Sequence, residues 1–167
     1  MRRKEKEIRE RTSLDAILER AIVCRVALCE DGNPYVVPLL FGYDGRALYL
    51  HSAGEGKKVD FLRQNPRVCF EVDVDQVIVP DENPCAWSLK YRSVIGFGTA
   101  AFVEAPEEKA DGLDLILHHY GGSSCGYSAA ALARTAVIRV EIASMTGKES
   151  GYSPEDLGRG NGKGRHR

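Results

Sequence analysis

The chain has 167 residues, 43% of them hydrophobic, and its 23 basic and 24 acidic side chains leave a net charge of −1. That size suits one domain around a single core, and near-neutrality argues against wholesale nucleic-acid binding. No apolar run approaches the roughly 20 residues of a bilayer span, and Met1 to Glu10 lacks the apolar segment of a signal peptide, so a cytoplasmic protein without a membrane partner is expected.

The opening run is mixed in charge, with Arg2, Arg3, Lys4, Lys6, Arg9 and Arg11 against Glu5, Glu7 and Glu10; such runs usually form a solvated arm. Thr12, followed three residues later by Asp15, reads as a variant helix cap. Leu14, Ile17, Leu18 and Ala21 then recur with helical spacing. From Ile22 the pattern changes to strands: Ile22 to Cys29, Tyr35 to Phe41 and Ala47 to His51, separated by Asp31-Gly-Asn-Pro34 and Tyr43-Asp-Gly-Arg46. A three-stranded meander is expected.

A short helix from Lys57 to Gln64 ends at Asn65-Pro66, because the residue before proline avoids helical geometry. Val68, Phe70, Val72 and Val74 alternate with polar residues as in a half-buried strand, and a loop to Pro84 follows. Cys85 to Glu104 reads as nearly continuous strand, which would span roughly 65 Å if straight. A domain of this length has a radius of gyration of only roughly 15 Å, so the segment must bend, and Gly96 and Gly98 are the places to do it. Curvature there predicts a barrel. Both faces of the segment are apolar, so the outer face calls for a helix or a second subunit as cover.

Pro106 to Tyr120 reads as a helix stopped by Gly121-Gly122, and Thr135 to Ile142 as a last strand. The expected organisation is a charged arm over 1–12, a folded domain over 13–150 and a disordered, glycine-rich tail over 151–167. Five cysteines, Cys24, Cys29, Cys69, Cys85 and Cys125, are odd in number and without metal or redox spacing, which predicts free thiols. His118 and His119 are adjacent and fall on different helix faces, so no metal site is expected.

The chemistry concentrates in two places. In Leu48-Tyr-Leu-His-Ser-Ala-Gly-Glu-Gly-Lys-Lys58 a strand runs into a glycine-containing turn that opens a helix with two lysines. Unpaired N–H groups, close backbone approach and full positive charge suit a phosphate. In Trp87-Ser-Leu-Lys-Tyr-Arg-Ser93 an indole, a phenol, a guanidinium and hydroxyls suit a flat, anionic ligand. Flavin mononucleotide (FMN) joins a planar ring to a dianionic phosphate and matches both.

The order of elements resembles the pyridoxamine 5′-phosphate oxidase-like split β-barrel flavoproteins, and more closely their nitroimidazole-resistance (Nim-type) branch. The likeness rests on Cys24-Arg-Val-Ala-Leu28, Pro34-Tyr-Val-Val-Pro-Leu39, Phe41-Gly-Tyr43, Tyr49-Leu-His-Ser-Ala53 with Gly56-Lys-Lys58, Asn65-Pro-Arg-Val-Cys-Phe70, Tyr91-Arg-Ser-Val-Ile-Gly96 and Thr146-Gly-Lys148. It implies a mainly β fold with flanking helices, a six-stranded antiparallel split β-barrel, and a homodimer with FMN at the subunit interface. By this likeness Ser52, Lys57 and Lys58 hold the phosphate. Backbone around Val37, Pro38 and Leu39 and around His51, Ser52 and Ala53 lines the ring, while Tyr91, Arg92 and Ser93, with Trp87 nearby, form the other wall. His51 stands as the substrate-side proton donor, and Lys148 as a residue that faces either pocket or solvent.

The implied activity is an oxidoreductase passing electrons from a reduced nicotinamide to a small aromatic, possibly nitro, acceptor. The alternatives are a flavin-binding module that senses or stores electrons, and a haem-binding relative of the same fold. True pyridoxamine-phosphate oxidation is not expected, because the C-terminal stretch lacks a match to that enzyme's substrate-phosphate residues.

Overall fold

The computed structural model describes residues 4–124 and 126–152. The expected disordered tail beyond Tyr152, and Cys125, lie outside the described residues. One antiparallel sheet dominates: β1 (Glu7–Ile8), β2 (Cys24–Glu30), β3 (Asn33–Leu39), β4 (Phe41–Tyr43), β5 (Ala47–Ala53), β6 (Arg67–Val79), β7 (Ser88–Val103) and β8 (Thr135–Ser150). Its order is β3-β2-β6-β7-β8-β5-β4, with β1 added on β8. Four helices flank it: α1 (Arg11–Arg20), α2 (Lys57–Gln64), α3 (Pro106–His119) and α4 (Ala129–Arg134).

The sheet therefore has eight strands rather than six, and it is not closed by hydrogen bonds between its end strands. The meander is also corrected. Leu40 breaks the expected second segment, Tyr35 to Phe41, into β3, which pairs only with β2, and β4, which pairs with β5. The chain thereby crosses from one end of the sheet to the other within a single residue. Hydrophobic alternation reads straight through such a crossing, so the sequence pattern does not reveal it.

The long strands bend where small residues allow it. β7 runs for 16 residues, and its pairing with β8 shifts register between Phe97 and Gly98. A Cβ on Gly96 would lie 2.2 Å from Phe70 Cζ, and one on Gly98 would lie 2.4 Å from the Glu141 carbonyl oxygen. Both positions require glycine. A second shift between Val74 and Val77 leaves Asp75 at φ 59° and carries β6 on to Val79, where a loop was expected.

Inward-facing Val26, Leu28, Leu48, Leu50, Phe70, Val72, Val94, Ile138 and Val140 fill the barrel, and Leu14, Ile17 and Leu18 of α1 plug it. The expected cap on Thr12 does not form. Glu10 is the cap residue, without a side-chain bond, and Arg11 already sits in the helix. The charged opening run is more than a solvated arm, since Glu7 and Ile8 pair with Lys148 and Gly147. Cys24 is buried, and burial first, then the Glu71 charge, pushes its thiol up to about 12. Cys24, Cys29, Cys69 and Cys85 are free thiols. Among the described residues no helix is long and apolar enough to cross a membrane.

Candidate functional site

The phosphate turn is built by the end of β5 and the start of α2. His51, Ser52 and Ala53 pair with Val137, Ala136 and Thr135 of β8, whereas β4 covers β5 only from Leu48 to Leu50. The other backbone edge of residues 51–53 is therefore left without a strand partner. β3 is likewise an edge strand. Only Leu40 separates Leu39 from Phe41, and Phe41 pairs with Leu50, so the two unpaired edges meet at one mouth of the barrel.

Gly56 caps α2 at φ 116°, a conformation that favours glycine, and no side chain caps this helix. The amides of Val59 and Asp60 donate to the Gly56 carbonyl, which leaves the first turn's earlier N–H groups without helical acceptors. A Cβ on Gly54 or Gly56 would meet nothing within 4 Å. The turn is thus open and rich in donors. Ser52 Oγ donates to the Ala53 carbonyl at 2.7 Å.

The two lysines diverge. Lys57 Nζ stands 4.7 Å from the Tyr35 ring centroid and 5.4 Å from that of Phe61, while Lys58 lies toward His51. Burial lowers the Lys58 pKa. Partial desolvation, then the charge of Lys58, lowers His51 below its ordinary 6.5. His51 is therefore a neutral imidazole at neutral pH, with one nitrogen able to donate and one to accept. Among the described residues neither lysine forms an ion pair with a carboxylate. Val37 and Leu39 pack onto the core, while Pro38 is exposed.

The second constellation is elsewhere. Tyr91, Arg92 and Ser93 pair with Ser150, Glu149 and Lys148 at one end of β7 and β8, while His51 is aligned through Val137 with Val103 at the other. Ten residues of strand separate Ser93 from Val103, or roughly 30 Å. One chain does not bring the two sets together. Trp87 is exposed, and its indole N–H donates to the Asp81 carbonyl at 2.8 Å. Tyr91 carries Lys148 Nζ at 5.1 Å from its ring.

Arg92 is only 3% exposed. Its guanidinium donates to Glu149 at 2.6 Å and to Asp75 at 2.8 Å, and it stacks 4.3 Å from the Tyr152 ring. Strand alternation aims it to the opposite side of β7 from Tyr91 and Ser93. Its ion pairs tie β7 to β6 and β8. The carboxylates that claim it lie 17 and 57 positions away in sequence, so spacing carries no signal of them.

The pairing register also defines a broad outer face whose apolar side chains stay exposed among the described residues. It carries Val36 and Pro38 on β3, Ala27 on β2, Cys69 on β6, and Tyr91, Ile95 and Phe97 on β7; Ser93 shares their register but is only 7% exposed. Val36, Ile95 and Phe97 are 56%, 44% and 56% exposed. Over this face lies a cleft of about 630 Å³ lined by Cys29, Cys69, Phe97 and Thr99. At one margin the β6–β7 hairpin adds exposed Val77, Ile78, Trp87 and Leu89. His119 and Tyr120 serve the fold: His119 contacts the Ala21 carbonyl, and the Tyr120 hydroxyl accepts from the Phe41 amide and donates to the Ile22 carbonyl.

An open antiparallel barrel with this strand order and a donor-rich turn at its mouth places the chain in the class of split β-barrel proteins. The chain belongs to the pyridoxamine 5′-phosphate oxidase family, whose model matches residues 10–149. It is similar to the crystal structure of a Bacteroides thetaiotaomicron VPI-5482 protein provisionally assigned to 5-nitroimidazole antibiotic resistance, at 36% identity over 85% of each chain with a TM-score of 0.77. The fold also matches the flavocytochrome Anf3 from Azotobacter vinelandii (21% identity, 93% of this chain and 76% of that one, TM-score 0.80). A FAD- and haem-binding protein from Mycobacterium smegmatis matches it too (24%, 91% and 78%, TM-score 0.79). Among curated proteins, an uncharacterized protein of Rhizobium meliloti (strain 1021) is 31% identical over 65 residues, which span 39% of this chain and 42% of that relative.

Proposed function

We propose that the protein is a flavin-dependent oxidoreductase that works as a homodimer. The observation that carries this reading is the barrel mouth, where an uncapped helix start and two lysines without carboxylate partners adjoin two unpaired strand edges. A phosphate fits the turn, and the polar rim of a flavin ring fits backbone N–H and C=O groups along residues 37–39 and 51–53. FMN is the smallest ligand with both features. When bound, a flavin supplies two-electron redox chemistry, and the protein supplies placement and electrostatics.

Ser52, Lys57 and Lys58 hold the phosphate in this reading. His51 stands at the ring edge as a neutral donor for a small aromatic acceptor. With a nitro acceptor the balance is two electrons and two protons in, one water out and a nitroso product, the donor being a reduced nicotinamide.

Because Tyr91 and Ser93 lie roughly 30 Å from the turn, they reach a flavin only from a second copy. The face on which Tyr91 stands with exposed Ile95 and Phe97 is where that copy docks, and the site is incomplete without it. Cytoplasmic residence completes the reading.

Purified protein titrated with FMN, followed by flavin absorbance and fluorescence, tests it. Binding should weaken about 10-fold or more in Lys57→Ala, the loss of one charge-assisted contact. Turnover of reduced nicotinamide with a nitroaromatic distinguishes an enzyme from a module that only stores electrons. Absence of flavin binding rejects the proposal.

A further inference from the structure

Tyr35 stands against one of the two lysines assigned to the phosphate. It lies on β3 two residues before Val37, and strand alternation puts it on the same inward side as Val37 and Leu39. Its ring is half-buried and packs against the core. Phe61 completes the arrangement. It follows Lys57 by four residues and shares its face of α2, and helical side chains lean toward the helix start, which brings the Phe61 ring back to the first turn.

The two rings meet with centroids 5.4 Å apart and planes at 56°, and Lys57 Nζ stands 4.7 Å from the first and 5.4 Å from the second. Two elements, β3 and α2, thus hold one ammonium beside an uncapped helix start. Among the described residues no carboxylate pairs with Lys57. The difference matters chemically. A free lysine spreads its charge over many rotamers, and ordering it when a ligand arrives costs affinity. A carboxylate would order it and cancel the charge. Aromatic rings attract the cation without neutralising it, so the charge is fixed in place and stays available to an anion.

We propose that Tyr35, backed by Phe61, is a positioning residue that sets the preference of the α2 turn for phosphorylated over unphosphorylated ligands, by holding Lys57 Nζ in place. Its ring does this work, and its hydroxyl takes no part. This rests on the reading that the turn holds a flavin phosphate, and it assigns discrimination against riboflavin to a side chain that acts through Lys57.

The full-length protein is titrated with FMN and with riboflavin, which differ only in the phosphate. Tyr35→Leu should weaken FMN about 3- to 10-fold and leave riboflavin unchanged, through loss of one cation–ring contact and of the prior ordering. Tyr35→Phe keeps the ring and should keep the FMN-to-riboflavin ratio. In a Lys57→Ala background Tyr35→Leu should change neither affinity, because the two residues act as a unit. With no ligand added, ring currents should place the Lys57 ε-methylene protons upfield of a solvated lysine's, and Tyr35→Leu should return them part of the way. Circular dichroism checks that each variant folds. Equal losses for FMN and riboflavin make Tyr35 a packing residue and overturn the proposal, as does additivity with Lys57→Ala. A ratio that falls as far in Tyr35→Phe as in Tyr35→Leu overturns it in favour of the hydroxyl as a direct phosphate ligand. Lysine protons at the solvated position, with an intact preference for FMN, sink this inference alone. If FMN binds no better than riboflavin, the phosphate reading of the turn fails and this one falls with it.

Discussion

His51 shows how much a single side chain's state depends on its neighbours. Its pKa lies below 6.5 through partial desolvation and then the Lys58 charge. The unfolded chain therefore binds more protons just below that pH, and the stability tied to the neutral ring is complete above 6.5 and lost as pH falls through the folded value. In Lys58→Met the imidazole should titrate closer to 6.5, readable by NMR of its ring proton. Arg92 makes the opposite point. The motif around it predicts a cofactor contact whose loss spares the fold, yet Asp75 and Glu149 hold it with side chains 8% and 13% exposed. Arg92→Leu would leave Glu149 buried and unpaired and Asp75 held by Arg20 alone, at a cost of about 3 kcal/mol in urea unfolding. An unchanged midpoint would mean that the ion pairs contribute nothing.

At the scale of elements, the helices and long strands were legible because each presents its own period. Leu14, Ile17 and Leu18 are buried as their spacing implies, and Gly96 and Gly98 sit where the long strand needed to turn. Glycine carries the packing of α3 as well. A Cβ on Gly42 of β4 would lie 2.6 Å from the Leu115 carbonyl carbon and 2.7 Å from the Ile116 nitrogen. Both are backbone atoms that cannot rotate away. Gly42→Ala should therefore push α3 off β4 and destabilise the protein by about 1–3 kcal/mol, measured by thermal unfolding. The split at Leu40 was illegible, because hydrophobic alternation specifies which face a residue occupies and not which strand lies beside it. The bulge at Asp75 was hidden for the same reason, and α4 is too short, at 6 residues, to establish a period.

For the whole molecule, the open question is what covers the outer face of the sheet. Phe97 at its centre is 56% exposed, and a second copy seated there would remove it from water and bring Tyr91 and Ser93 to the partner's barrel mouth. Phe97→Glu should convert a dimer to a monomer in sedimentation and weaken flavin retention in parallel. A dimer that survives the substitution would place the interface on another face. The sequence by itself determined the class of fold, the strand-to-helix turn with its glycines and lysines, and the thiol character of its buried cysteine, since these depend on local period, local charge and local burial. Only the tertiary structure decided that Arg92 is claimed by distant carboxylates, that β3 and β4 part company at Leu40, and that the two candidate walls stand at opposite ends of the long strands. Each of those is a matter of which segments become neighbours, and strand pairing is settled by the burial and closure of the whole sheet rather than by any stretch of chain.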